Sequence, residues 1–511
     1  MTVPEIEIDP TTRIEGHHST TLHVEDGEVA RAESEMNMFR GIESVTHGRA
    51  PSDVPQVTQM VCGVCFTCHR QAATLALEEA AERAGVFDGV PPNGRLLRDV
   101  MEATFLLWNH AVHLFVLAGP DYSDAVADTG FDRLDPADGD GYRTALEHQR
   151  SLLQAFTEFG GRAPHPLTYV PGGVTADPDP ETVGELRETV AGLDEWLGPT
   201  DALPATLERA RDRDPVGDHP GLYDLCSVLV GASEAGADGF GVGPGRFYAN
   251  GMFYGTDGGD DHVLPRGVVD GDGRRRPSRA ELIEGITEDV SHAWYTAASG
   301  GRMDEAPAPT PEPDEDGAYS WGKAPRYHGE TMETGPLARL VAADRDPHGL
   351  RERLGNDETG SSTFDRLAAR VQETLLVRDY LREWLEAVDP DAPVRAAWTD
   401  EFSGNGVGLW GASRGALSHW VSVDDGAVDA YQIVTPTTWN LGPRDGDGTP
   451  GVFEAAVEGT PVSDVSEPTE VMRTIRSFDP CLGCAVHVES PEERFETQIQ
   501  PHAPGAGGDR G

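Results

Sequence analysis

Two Cys-x-x-Cys pairs stand far apart in this 511-residue chain, Cys62-Gly63-Val64-Cys65 near its start and Cys481-Leu482-Gly483-Cys484 near its end. A histidine follows each pair, His69 after the first and His487 after the second. Thiolates are soft ligands and suit nickel, iron, zinc or iron–sulfur clusters. A zinc ribbon keeps its pairs within a few tens of residues, whereas more than four hundred separate these two. The spacing describes a large fold that brings its two ends together around one metal centre.

The elements that must position those thiols are legible around them. Arg70 to Ala84 is rich in Ala, Leu and Glu and stops at Gly85, which predicts a helix with the first pair at its N-terminus. The positive end of the helix dipole stabilises a thiolate there. Arg95 to Ala118 has longer apolar periodicity and predicts a core helix. His110 and His113, three apart on one side of it, read as core or hydrogen-bonded histidines. Glu181 to Leu197 and Ala205 to Arg213 read as surface helices, and 360–387 as another helix. Glu5 to Asp9 alternates polar and apolar, and Thr20 to Val24 and Glu28 to Ala32 flank Asp26-Gly27. These predict a small N-terminal β region containing a hairpin. The Gly-, Pro- and acid-rich stretches at 255–261, 270–273 and 302–317 read as solvated loops, since none has the twelve-residue form of a calcium loop with its closing Glu.

The chain carries 40 Lys and Arg against 88 Asp and Glu, a net charge of −48. Such an excess implies a strongly hydrated, self-repelling surface, and it reads as adaptation to high salt, where repulsion is screened within about 3 Å at molar ionic strength. Nucleic acid is excluded as a partner because no basic stripe is present. A disordered acidic chain is excluded by 38% hydrophobic residues and nine Trp. Six cysteines in a chain this long do not make a disulfide framework. Cys226 reads as a buried apolar thiol and Cys68 as an incidental residue on the helix. Residues 1–9 lack the basic and apolar regions of a signal peptide, and no uncharged apolar run of membrane-spanning length is seen.

Taken with further stretches, the cysteines resemble those of the large subunit of nickel–iron hydrogenases. Arg13-Ile14-Glu15-Gly16-His17 and Arg40-Gly41-Ile42-Glu43 are similar to that family's opening motifs. Tyr319 to Tyr327 resembles a middle motif of its respiratory uptake branch, and Pro436-Thr437-Thr438-Trp439-Asn440 and Pro443-Arg444-Asp445 its late motifs. The matches run in family order from about residue 13 to 487.

The resemblance implies an α+β, predominantly α fold with a central long-helix bundle and a small N-terminal β region. It implies one domain over 1–487 and an extension, 488–511, removed on maturation. It assigns Cys62 and Cys481 as terminal nickel thiolates, and Cys65 and Cys484 as bridges to an iron carrying carbon monoxide and cyanide. Cys481 would be the base in heterolytic H2 cleavage, with Glu15 relaying its proton. Arg414, in Gly411-Ala412-Ser413-Arg414-Gly415, would overhang the two metals and pair with Asp479, while Ser413 and Thr437 would donate to cyanide and His69 to Cys65. Gly411 and Ser413 stand where the family has Glu and Pro, and Asn109 where some members have Asp. A magnesium or iron ion would be held by Glu43, His487 and a carbonyl near Ile433. The implied partners are an iron–sulfur small subunit, a membrane cytochrome b or quinone-linked acceptor, a maturation endopeptidase and nickel-insertion proteins. The expected location is the outer face of the cell membrane, through partner subunits, with the cytoplasm as alternative. A hydrogen sensor is the second reading. A non-catalytic respiratory core subunit is excluded by the four cysteines.

Overall fold

The computed structural model describes residues 5–39, 41–256, 262–304, 307–345, 349–350, 360–464 and 466–482. Long helices form its centre: Phe66–Arg83, Pro92–Val112, Asp140–Gly160, Pro180–Leu197, Pro220–Glu234 and Thr363–Ala387. Their apolar faces merge into one large core that also holds Cys62, Cys65 and Cys481. Pro92–Val112 continues as a π turn, His113–Leu117. Pro92–Leu117 is long and apolar enough by composition to cross a membrane, but 78% of its most apolar window is buried inside the protein, as expected of the core helix read at Arg95 to Ala118.

The N-terminal sheet pairs Glu5–Ile8 with His18–Glu25, and His18–Glu25 with Glu28–Met36, all antiparallel. Asp26 and Gly27 turn the hairpin with φ of 51° and 87°, the left-handed pair such a tight turn needs. β structure is not confined to this region. A three-stranded antiparallel sheet, Gly404–Ala412, Gly415–Asp424 and Ala427–Val434, lies against the centre of the molecule. Residues 307–317 are mostly exposed, as a surface loop is, and are tied down where Thr296 N donates to Thr310 O at 3.0 Å and Glu312 N to Trp294 O at 2.9 Å.

The sheet approaches the first cysteine helix through small residues. Gly404, Gly406 and Gly408 recur with the strand period of two, and Ala72, Ala76 and Ala80 with the helical spacing of four. A Cβ at Gly406 would lie 2.0 Å from Ala76 O, and one at Gly408 1.9 Å from Ala72 O. Two strand residues rise about 6.8 Å and four helical residues about 6 Å, so the two ladders stay nearly in step. Followed onward, the strand's end reaches Cys68 in the helix's first turn, to which the Ser413 backbone hydrogen-bonds. Gly408→Ala is expected to lower stability by at least about 1–3 kcal/mol, because the clash is with backbone that no rotamer change relieves. Chemical denaturation of the apo chain measures it.

Candidate metal centre

The first thiol pair sits on a turn before the helix Phe66–Arg83, with Cys65 as its N-cap residue. The amides of Val64 and Cys65 donate to Cys62 Sγ at 3.2 and 3.1 Å. Cys481 arrives from the other end of the chain. Its Sγ lies 3.0 Å from Cys62 Sγ and 3.6 Å from Cys65 Sγ, well beyond the about 2.05 Å of a disulfide. The three sulfurs lie within 4.8 Å of one another and all three residues are buried. Cys484, His487 and the extension 488–511 lie outside the described residues, as does Arg40.

Arg414 is presented at the tip of a hairpin whose two-residue turn, Ser413-Arg414, joins Gly404–Ala412 to Gly415–Asp424. Its Nε donates to Asp479 O at 2.8 Å and its Nη2 to Asp479 Oδ1 at 3.0 Å. Asn109 Nδ2 donates to the other carboxylate oxygen at 2.8 Å, so the Asn at this position supports the Arg414–Asp479 pair. Arg414 Nη1 and Ser413 Oγ are buried and have no hydrogen-bond partner among the described residues. Burial pulls the Arg414 pKa down, but Asp479 and the sulfurs of Cys481, Cys65 and Cys62 outweigh it and hold the guanidinium charged. Burial works to raise the Asp479 pKa, and Arg414 foremost keeps it below the usual carboxylate range. Asp479 has φ 55°, a left-handed conformation costing about 1–3 kcal/mol when held in place by its surroundings.

The N-terminal segment runs alongside Cys481. Glu15 forms a parallel bridge with it. Glu15 N donates to Pro480 O at 3.4 Å and Leu482 N to Glu15 O at 2.7 Å. Asp121 holds this segment: it pairs with Arg13 and also accepts from Arg476 Nη1 at 2.7 and 3.0 Å. Arg476 in turn donates to Thr12 O at 3.0 Å. Thr437 Oγ1 accepts from Cys481 N at 3.0 Å, so this hydroxyl also orients the backbone of Cys481.

His69 Nδ1 lies 3.2 Å from His419 Nε2, and His419 Nδ1 2.7 Å from Tyr431 Oη. Burial drives the His419 pKa far down, so the ring is neutral. His419, Tyr431, Asp121 and Arg476 lie outside every motif and carry no local sequence signal. His110 and His113 are hydrogen-bonded core histidines, to Glu373 Oε2 at 2.9 Å and Arg476 O at 2.7 Å. Cys68 Sγ donates to Glu102 Oε2 at 3.4 Å, and burial pushes this thiol's pKa up, which keeps it protonated. Glu43 and Ile433 line a separate cavity of about 40 Å³, with Lys323 and Glu288 in its wall. Burial raises the Glu43 carboxyl pKa.

The chain as a whole is similar to known proteins. The family described as nickel-dependent hydrogenase matches residues 40–138 and 140–487, and the one described as HoxL-like matches residues 5–38. The chain is 34% identical to the periplasmic [NiFeSe] hydrogenase large subunit of Desulfomicrobium baculatum, over 95% of each chain. It is 30% identical to the uptake hydrogenase large subunit of Rhizobium leguminosarum bv. viciae, over 97% of each. Its fold superposes on the reduced Ni-Fe-Se hydrogenase of D. vulgaris Hildenborough with a TM-score of 0.82 and 31% identity, covering 95% of this chain and 100% of that one. All four motif positions are cysteine here. The chain is a large subunit of the nickel-dependent hydrogenase family.

Proposed function

We propose that this large subunit carries the hydrogen-cleaving centre of its enzyme on Cys62, Cys65, Cys481 and Cys484, and catalyses reversible conversion of H2 to two protons and two electrons. The observation that carries this is the meeting of three sulfurs from the two ends of the chain beneath a buried arginine with an unused donor. The donor set fits: thiolates suit nickel and iron, and Arg414 Nη1 and Ser413 Oγ match polar ligands such as cyanide on the iron. A nickel–iron centre supplies the redox chemistry of H2 when bound. The protein's part is to hold and move charge. Cys481 Sγ holds the released proton and Glu15, on the segment bridged to Cys481, receives it. Arg414, kept cationic, supplies fixed positive charge without reorganisation. The Glu43–Ile433 cavity, with His487, is the proposed place of a magnesium or iron ion, for which oxygen ligands are suited.

Purified with its small subunit, the enzyme is expected to hold about one nickel per large subunit and to show infrared bands of carbon monoxide and cyanide. Zinc in place of nickel, without those bands, would end the hydrogenase reading. Large subunits pair with a small subunit, and here that partner takes the electrons through iron–sulfur clusters. Relatives named periplasmic, quinone-reactive and uptake hydrogenases support membrane association and a quinone-linked or cytochrome b acceptor on the outer face. The domain spans 1–487, and the extension 488–511 is removed by an endopeptidase after nickel insertion.

The net charge of −48 supports work at high salt. Apparent unfolding temperature should climb steeply from low to molar salt as self-repulsion is screened. A flat or falling profile would remove the halophilic reading and leave the catalytic one intact.

A further inference from the structure

We propose that Arg339, gripped by Glu373, is a positioning residue for Arg414 and sets where its guanidinium stands over the sulfur cluster. Arg339, on the helix Pro336–Ala342, is 1% exposed. Its Nε and Nη2 each lie 2.7 Å from one carboxylate oxygen of Glu373, a two-point grip. The same guanidinium then reaches the hairpin: Nη1 donates to Ala412 O at 2.7 Å and Nη2 to Ser413 O at 3.2 Å. Ala412 and Ser413 are the two residues immediately before Arg414. Carbonyls at a hairpin tip usually face water. These are buried and need a donor, and Arg339 provides it.

The anchor of this clamp also serves the other half of the site. Glu373 lies on the helix Thr363–Ala387, three residues after Arg370 and on the same face. Arg370 Nη1 donates to Ser477 O at 3.0 Å, two residues before Asp479. His110 Nε2, 2.9 Å from Glu373 Oε2, completes the anchor. One face of one helix therefore fixes both partners of the Arg414–Asp479 pair, the end of the helix before Asp479 directly and the arginine hairpin through Arg339. A turn held only by its two strand ends could rock, and a shift of about 1 Å at a reacting site can cost on the order of a hundredfold in rate.

The test is Arg339→Lys in the complete heterodimer, read by nickel content, infrared bands and turnover per nickel. Lysine keeps the charge, but a single ammonium cannot grip Glu373 and hold two carbonyls at once. The expected result is normal nickel, cyanide bands displaced from the wild-type positions, and turnover down tenfold or more. Glu373→Gln, which keeps the shape and loosens the grip, should move the bands in the same direction by less, and it decides the matter if the lysine variant does not accumulate. A purely structural role would lower the unfolding temperature and leave the bands unmoved. Unmoved bands with wild-type turnover per nickel would overturn the proposal. The inference rests on the hydrogenase reading. That reading fails if the wild type lacks nickel and the bands, whereas the clamp fails if the wild type has them and the variants leave them unchanged.

Discussion

Glu15→Gln is expected to cut hydrogen oxidation and hydrogen–deuterium exchange by about 10²–10⁴-fold, the usual worth of a positioned proton acceptor, while nickel content stays at the wild-type level. The structure makes the two effects separable. Glu15 is joined to the cysteine segment through its backbone, by the bridge to Cys481 and the bond from Leu482 N to Glu15 O at 2.7 Å. Those bonds are indifferent to the side chain. The segment is further held by Arg13 and Arg476 on Asp121, again without the Glu15 carboxyl. Glutamine keeps the size and hydrogen-bonding capacity and loses only proton acceptance. Electron transfer and metal loading should be untouched, and the centre should still respond to H2 in the infrared. Turnover at the wild-type rate would mean that protons leave by another route.

Arg414→Lys should lower turnover per nickel by about 10²–10³-fold, the scale of removing one preorganised donor from a charged reaction site. Arg414 spends two of its nitrogens on Asp479, at 2.8 and 3.0 Å, and keeps Nη1 for the cluster. A lysine ammonium is one point of charge and can serve one side or the other. Asp479 would keep its bond from Asn109 at 2.8 Å, so the loss of stability should be small beside the loss of rate. Asp479→Asn inverts that balance. It leaves a buried guanidinium without its carboxylate, a change costing on the order of 3–5 kcal/mol, and it should show first as a lowered unfolding temperature. If Arg414→Lys turned over normally, the spare guanidinium donor, Nη1, would not be part of the chemistry.

The Gly-x-Gly-x-Gly run at 404–408 shows where local reading stops. Alone it has the composition of a loop, because glycine loses most entropy when ordered. It is a strand because Ala72, Ala76 and Ala80 present a surface that admits no Cβ. That pairing joins residues more than three hundred positions apart, and no periodicity within either segment announces the other. The helices Phe66–Arg83 and Thr363–Ala387 and the hairpin about Asp26-Gly27 were legible, since their signals lie within a few residues of each other. The π turn after Val112 was not. It extends a helical pattern by a local widening, in which His113 Nε2 lies 2.7 Å from Arg476 O.

What the sequence by itself determined is the chemistry available. Four cysteines in two spaced pairs, Glu15, Arg414 and Asp479 are side-chain identities, and their motifs are short enough to be read in place. The tertiary structure alone decided how those groups stand to one another. It set Cys481 3.0 Å from Cys62, turned Cys68 aside to Glu102, gave Asn109 to Asp479 and placed Arg339 behind the hairpin tip. Each of these contacts is a pairing of buried polar groups from distant segments. Such pairing is compelled by the cost of leaving a buried donor or acceptor unmatched, and which partner meets which follows only once the helices and the sheet have packed.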